Sequence, residues 1–211
     1  MKRIFTFVMA LLLAPAAWAV GGPYVEGTHY EVVAPQGTAK PEIKEFFSFY
    51  CPHCNAFEPL LNDIVKTLPA DTAFKKYHVD FMGQASQPVQ QSLTEAMVLA
   101  KLKGKTASVN PAFFRHIHTE RKAFGNADDV KAIATANGLD AASYDKDIKS
   151  FTVQSQVKLM QKEQKELSEA KIMNSVPTLI INGRYKIHLD KLDNADVKAD
   201  LQALITYLLA K

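Results

Sequence analysis

An aromatic-rich apolar run, Ile43 to Tyr50, ends directly on Cys51-Pro52-His53-Cys54, and an apolar stripe at helical spacing begins straight after it. This junction leaves few folds open. A nearly continuous apolar strand has to be covered on both faces, and Glu45 is an acid set inside it. Phe57, Leu60, Leu61, Ile64, Val65 and Leu68 give the following helix one apolar face. Pro59 should kink that helix, and Leu68-Pro69 ends it. Ala73 to Phe81 then reads as a second strand. The pattern predicts a βαβ unit with both cysteines at the carboxyl end of its first strand.

The flanking segments extend this unit. A Gly-rich start at Gly21-Gly22-Pro23 precedes a short strand over His29–Val33 and a loop over Pro35–Pro41. From Gln84 to Glu166 the period becomes helical. Val89, Leu93, Ala96, Met97 and Ala100 form one stripe. Asn110-Pro111 reads as an N-cap followed by proline at the first helical position, with Phe113, Phe114 and Ile117 after it. Asn126 caps a further helix that ends at Asn137-Gly138. Asp140 is read as the cap of another, through Tyr144 and Ile148, and Val153 to Ala170 as a last long one. Strand signals return at Pro177–Ile181 and Tyr185–Leu189, joined by Asn182-Gly183, a strong hairpin signal. A final amphipathic helix carries Val197, Leu201, Leu204, Ile205 and Leu208 and is expected to start near the cap residue Asn194. The order is therefore βαβ, a helical block, then ββα, with no internal repeat.

Composition excludes several classes. The 211 residues are 47% hydrophobic and 22% charged, as in ordinary globular proteins. Lys2 and Arg3, the apolar run Ile4–Leu13 and the small-x-small site Ala17-Trp18-Ala19 read as a secretory signal peptide cleaved after Ala19. The run is far short of the ~20 residues a spanning helix needs. Removing residues 1–19 leaves 23 basic against 22 acidic residues, a net charge of +1. That balance offers no basic footprint for nucleic acid. The expected product is soluble and exported, in a compartment that permits disulfides.

Only two cysteines occur, Cys51 and Cys54. A disulfide framework and a four-thiolate zinc site are therefore impossible from this chain alone. As a staple the pair is weak, because a four-residue loop contributes only ~2 kcal/mol against ~3 for fifteen residues. As half a metal site it lacks partners: His78, His116, His118 and His188 are scattered, so no metal is expected. Two unrelated buried thiols would leave both spacing and position to chance. A redox role accounts for the placement. Unpaired N–H groups and the macrodipole at a helix start stabilise a thiolate at Cys51, which should be the exposed member, while Cys54 lies one turn in. Pro52 suits the first helical turn, and His53 adds a potentially cationic donor. A thiolate exists only in the reduced protein, so stabilising it makes the disulfide the stronger oxidant.

EFFSFYCPHC, then KYHVDFMG, then VPTLIINGRY resemble the DsbA family, periplasmic thiol:disulfide oxidoreductases of Gram-negative bacteria, over essentially all of the mature chain. The resemblance implies an α/β thioredoxin fold interrupted by an all-helical insertion: a signal peptide at 1–19, thioredoxin-like parts at 20–83 and 166–211, and the insertion at 84–165. It implies a monomer that donates its Cys51–Cys54 disulfide to reduced, unfolded exported proteins. A DsbB-like, quinone-linked inner-membrane oxidase would restore the disulfide, with no cofactor beyond the cysteines. It implies a cis Val176–Pro177 bond facing the cysteines and binding substrate backbone, where the residues alone favour an ordinary trans proline opening an edge strand. Glu45, desolvated in its strand, should have a raised pKa and could exchange protons with Cys54. The resemblance pairs it with Lys76. Against this stands a Glu45 facing water at a sheet edge beside a solvated Lys76. The segment after Tyr185 is shorter than in the best-known members.

Two other functions fit parts of the pattern. One is a disulfide isomerase or reductase of the same fold, disfavoured because no dimerisation domain precedes the motif. The other is a non-enzymatic exported peptide-binding holdase or metal-binding module that keeps the cysteines passively.

Overall fold

The computed structural model describes residues 23–211, so the expected signal peptide lies outside the described residues. Five strands form one sheet in the order β1-β5-β4-β2-β3. They are β1 Tyr30–Val32, β2 Glu42–Phe47, β3 Ala73–His78, β4 Thr178–Ile181 and β5 Tyr185–Ile187. Strand β2 pairs parallel with β3 and antiparallel with β4. The crossover from β2 to β3 is α1, Pro52–Val65, with Pro59 inside it. The β4–β5 hairpin loop has three residues, Asn182, Gly183 and Arg184, one more than the Asn-Gly pair expected from the sequence, and Asn182 and Gly183 both have positive φ, 51° and 62°. The Asn182 carboxamide accepts from the Glu42 N–H at 3.1 Å and ties this turn to β2.

The remaining helices are α2 Gln87–Leu102, α3 Thr106–Phe114, α4 Ala127–Ala136, α5 Tyr144–Asp147, α6 Phe151–Glu169 and α7 Val197–Leu209. Helices α2 to α6 lie between the two halves of the thioredoxin fold, and α6 runs across the expected boundary at 165/166. Asn126 caps α4 as read from the sequence: its side chain accepts from Asp128 N and Asp129 N, and Asp129 reaches back to Asn126 N.

Several local expectations are corrected. Asn110 and Pro111 do not start a helix; α3 begins at Thr106 and carries both residues inside it. A proline in a first turn and one tolerated further in leave the same local signature. A π-helical turn, Arg115–Thr119, follows directly. Asp140 caps only the turn that precedes the single-turn α5, accepting from Ala142 N and Ser143 N. The cap of α7 is Asp196, bonded to Ala199 N, because the Asp193 carboxylate already holds a turn through Ala195 N. Strand β2 stops at Phe47, and Ser48–Tyr50 turn toward the cysteines.

Two apolar cores pack against the sheet. On one side Ile43, Leu179 and Ile181 pack with Leu61 and Ile64 of α1 and with Leu201, Leu204 and Ile205 of α7. The other core joins Phe46, Phe47, Phe49 and the cysteines to the helical block through Leu93, Phe113 and Val157. Burying these side chains on both sheet faces, at ~25 cal/mol per Å², holds the carboxyl end of β2 and the start of α1 in fixed relation.

Candidate active site

Both cysteines are free thiols, so this is the reduced protein. Cys51 is the N-cap of α1 in extended backbone (φ −85°, ψ 115°), and its sulfur accepts from the Cys54 N–H at 3.2 Å. A cap position suits serine or aspartate because their side-chain oxygen accepts a first-turn N–H; here sulfur does so. Pro52 at the first helical position has no N–H to leave unpaired. The preceding turn is held by Ser48, whose carbonyl accepts from Cys51 N and whose hydroxyl accepts from Tyr50 N. Cys54 is fully buried. Contrary to expectation Cys51 is also covered, at 4% exposure, because the Val176–Pro177 loop lies over it.

The two thiols are pushed in opposite directions. Cys51 falls from its ordinary value near 9 to about 6, first because the Cys54 thiol donates to its sulfur, then through the backbone N–H groups of Cys54 and His53 and the nearby His53 charge; burial opposes these. Cys54 is raised, because its proton is held by the Cys51 sulfur and because it is buried. His53 is exposed; its backbone acts on Cys51 before its ring does.

Val176–Pro177 is cis. The Cys51 thiol donates to the Val176 carbonyl at 3.3 Å, so this loop meets the reactive sulfur through its backbone. A groove of about 590 Å³ opens beside it, between His53 and Phe57 on α1, Val176 and Pro177, and Ile187 at the end of β5 with Leu192 beyond it.

Behind Cys54 lies a charge cluster. Glu45 is fully buried on β2, an interior strand of the sheet, which excludes the alternative of an acid facing water at a sheet edge. Lys76 is its register neighbour on β3, with Nζ 2.8 Å from the Glu45 carboxylate and its side chain only 13% exposed, which excludes a solvated lysine. Neither Glu45 oxygen accepts a well-aligned hydrogen bond. Burial raises its pKa most, Lys76 opposes, and Glu58 and Cys51 add to the rise. Lys76 is raised: burial works against its charge, and Glu45 and Glu58 together outweigh that. Among the described residues no group of three His, Cys, Asp or Glu side chains could hold a metal ion.

A family model described as a DSBA-like thioredoxin domain matches residues 42–202. The chain belongs to this family. It is 34% identical over 189 residues to the thiol:disulfide interchange protein DsbA of Haemophilus influenzae, covering 88% of this chain and 87% of that protein. Identity to the corresponding protein of Dickeya dadantii is 32% over 200 residues, covering 93% and 91%. The fold is similar to the crystal structure of the disulfide oxidoreductase DsbA from Proteus mirabilis, with TM-score 0.77 and 30% identity, over 89% of this chain and 98% of that one. It is also similar to a complex of a Proteus mirabilis DsbA variant with a non-covalently bound peptide, PWATCDS, at TM-score 0.78 and 29% identity, over 90% and 100%. The chain is a thiol:disulfide oxidoreductase.

In this DsbA-family site the residues expected from the sequence fall into two groups. Cys51, Pro52, His53, Cys54, Val176 and Pro177 gather at the start of α1, and Glu45 and Lys76 sit behind it. Two residues escaped the sequence reading. Glu58, on α1, forms the second ion pair of Lys76; its place seven residues after Cys51, two helical turns on, is the only signal for it. His118, from the π-helical turn, bonds through Nε2 to the Phe49 carbonyl at 2.7 Å. It links the insertion to the turn that precedes Cys51, and no local pattern announces that contact.

Proposed function

We propose that this oxidoreductase works as a disulfide donor to newly exported proteins in the periplasm, as a monomer, and is reoxidised by a DsbB-like, quinone-linked inner-membrane oxidase. The observation that carries this reading is the Cys51 sulfur, drawn to a pKa of about 6 at the start of α1 while Cys54 is driven up. A group stabilised only in the reduced state tilts the exchange toward giving the disulfide away.

In the donating step a client thiolate attacks Cys51 Sγ of the Cys51–Cys54 disulfide. The S–S bond breaks, its electron pair leaves on Cys54, and Cys54 takes a proton. A second client thiolate then attacks the client sulfur of the mixed disulfide and releases Cys51 as a thiolate. The client loses two electrons and two thiol protons, and the protein gains the two electrons. Cys54 resolves mixed disulfides in the reverse direction and during reoxidation. Glu45, held by Lys76, supplies and removes the Cys54 proton. Pro52 and His53 set the Cys51 environment. Val176 and Pro177 align the client backbone beside the groove, in keeping with the peptide-bound relative from Proteus mirabilis. The export pattern of residues 1–19 and the DsbA relatives support the periplasmic setting; among the described residues no helix is long and apolar enough to cross a membrane.

Chemical denaturation of the two redox forms tests this directly. The reduced protein should be the more stable at neutral pH. A more stable oxidised form overturns the donor reading in favour of a reductase or isomerase. Full biological activity of Cys51→Ser would favour a holdase.

A further inference from the structure

A second cleft, of about 500 Å³, lies between α1 and β3 on one side and α2, α3 and α6 on the other. It is separate from the groove at Val176 and Pro177, and nothing in the thiol chemistry uses its outer part. Its apolar wall is made by Phe74, Met97, Val98 and Met160. Its size and lining match those of small-molecule sites.

Three polar features lie in its wall. Asn110, the residue that resembles a helix cap in the sequence, sits inside α3 at 2% exposure with its Oδ1 unpartnered. A buried acceptor without a donor is costly, and native structures rarely leave one. One residue on, Pro111 has no N–H, so the Ala107 carbonyl loses its donor four residues ahead. Ala107 and Pro111 both line the cleft. The third feature is charge. Lys66, Lys76 and Lys101 line the cleft against one acid, Glu58. Glu58 is paired with Lys76 and Lys66 with Asp63, while Lys101, at the exposed mouth, is in no ion pair among the described residues.

We propose that this cleft binds a small amphipathic anion that also carries one N–H or O–H donor. The apolar body lies over Met97, Val98 and Met160, the donor meets the acceptors at Asn110 and Ala107, and the anionic group meets Lys101. Glu58 and Lys76 form the inner wall, so the ligand rests against the charge cluster behind Cys54 without touching either sulfur.

Fluorescence titration with 8-anilinonaphthalene-1-sulfonate tests this, since that probe joins an apolar body, a sulfonate and an anilino N–H. The folded full-length mature protein should bind it saturably. Lys101→Glu should weaken binding roughly fivefold or more, and Ala107→Trp, which fills the mouth from an exposed position, should remove it. Asn110→Leu, with its fold checked by thermal unfolding, should weaken the probe. 3-Hydroxydecanoate should displace the probe at lower concentration than decanoate, which lacks the donor. Probe affinity unchanged in both Lys101→Glu and Ala107→Trp overturns the proposal, as does no binding by the native protein. The readout needs no thiol chemistry, so either result leaves the oxidoreductase activity where it stands.

Discussion

The start of α1 and the interior one helical turn further on hold the same functional group and treat it in opposite ways. At the start, Cys51 accepts first from the Cys54 thiol and then from the N–H groups of Cys54 and His53, and its pKa falls to about 6. One turn in, Cys54 is sealed from water, faces the acid Glu45, and keeps its proton. Three residues of separation are enough, because the one thiol hydrogen bond lowers Cys51 and raises Cys54, and free N–H groups exist only in the first turn of a helix. What this teaches is a division of labour: one sulfur is a good leaving group at neutral pH, and the other must be helped with its proton.

The largest effects should come from breaking that asymmetry. Cys54→Ala should still let Cys51 attack a small disulfide reagent and stop at a trapped mixed disulfide. Cys51→Ala should leave almost no reaction at pH 7. Mass spectrometry of the adducts checks both; equal reactivity of the two variants removes the asymmetry.

Next in size is a pH dependence. The Cys51 pKa is depressed in the folded protein, so its contribution is absent below pH 6 and grows until the unfolded thiol ionises near pH 9. Three units correspond to ~4 kcal/mol at most, and about 1–2 kcal/mol at pH 7. Cys54 is raised and works the other way once an unfolded thiol would ionise. The stability advantage of the reduced over the oxidised form should therefore rise from pH 6 to about 9 and decline above it. Denaturant midpoints of both forms across this range measure the trend. A difference independent of pH would mean that Cys51 is an ordinary thiol.

Much of this arrangement is legible in the sequence. Ile43 to Phe47 shows its two-sided burial directly, Asn182-Gly183 its hairpin, and Cys51-Pro52 the helix start. The features that stay hidden depend on what lies across the fold. Asn110-Pro111 carries a helix-start signature that interior packing overrides, and the exposure expected for Cys51 is cancelled by a loop 125 residues away in the chain. Glu58 and His118 look like ordinary surface residues until β3 and the turn before Cys51 are placed beside them.

Opposite faces of β2 sharpen the comparison at a smaller scale. Glu45 and Lys76 face α1, whereas Lys44 reaches Glu163 of α6 at 2.5 Å, with side chains 14% and 23% exposed. Glu45→Gln should slow Cys54 deprotonation about tenfold, below the ~10²–10⁴ of a base in direct contact. It should also stabilise the fold by about 1 kcal/mol, since a buried charge without aligned hydrogen bonds is removed while Lys76 keeps Glu58. Glu163→Gln should leave the thiol kinetics unchanged. Stopped-flow rates at several pH values separate the two, and equal slowing by both would assign the effect to strand packing.

The smallest expected effect is at His118. Its ring holds the Phe49 carbonyl, and the turn over Ser48 then fixes the Cys51 N–H, so the insertion reaches the reactive sulfur only through backbone position. His118→Ala should cost about 1 kcal/mol of stability for the lost hydrogen bond. The Cys51 pKa should rise by less than about one unit, because the donors from Cys54 and His53 belong to α1 itself and remain. His118→Gln should restore part of the loss, because a carboxamide can still donate to a carbonyl. Thiolate absorbance against pH distinguishes the cases. A rise in His118→Ala as large as removing the helix donors would make the insertion, rather than the helix start, the principal determinant of Cys51 chemistry.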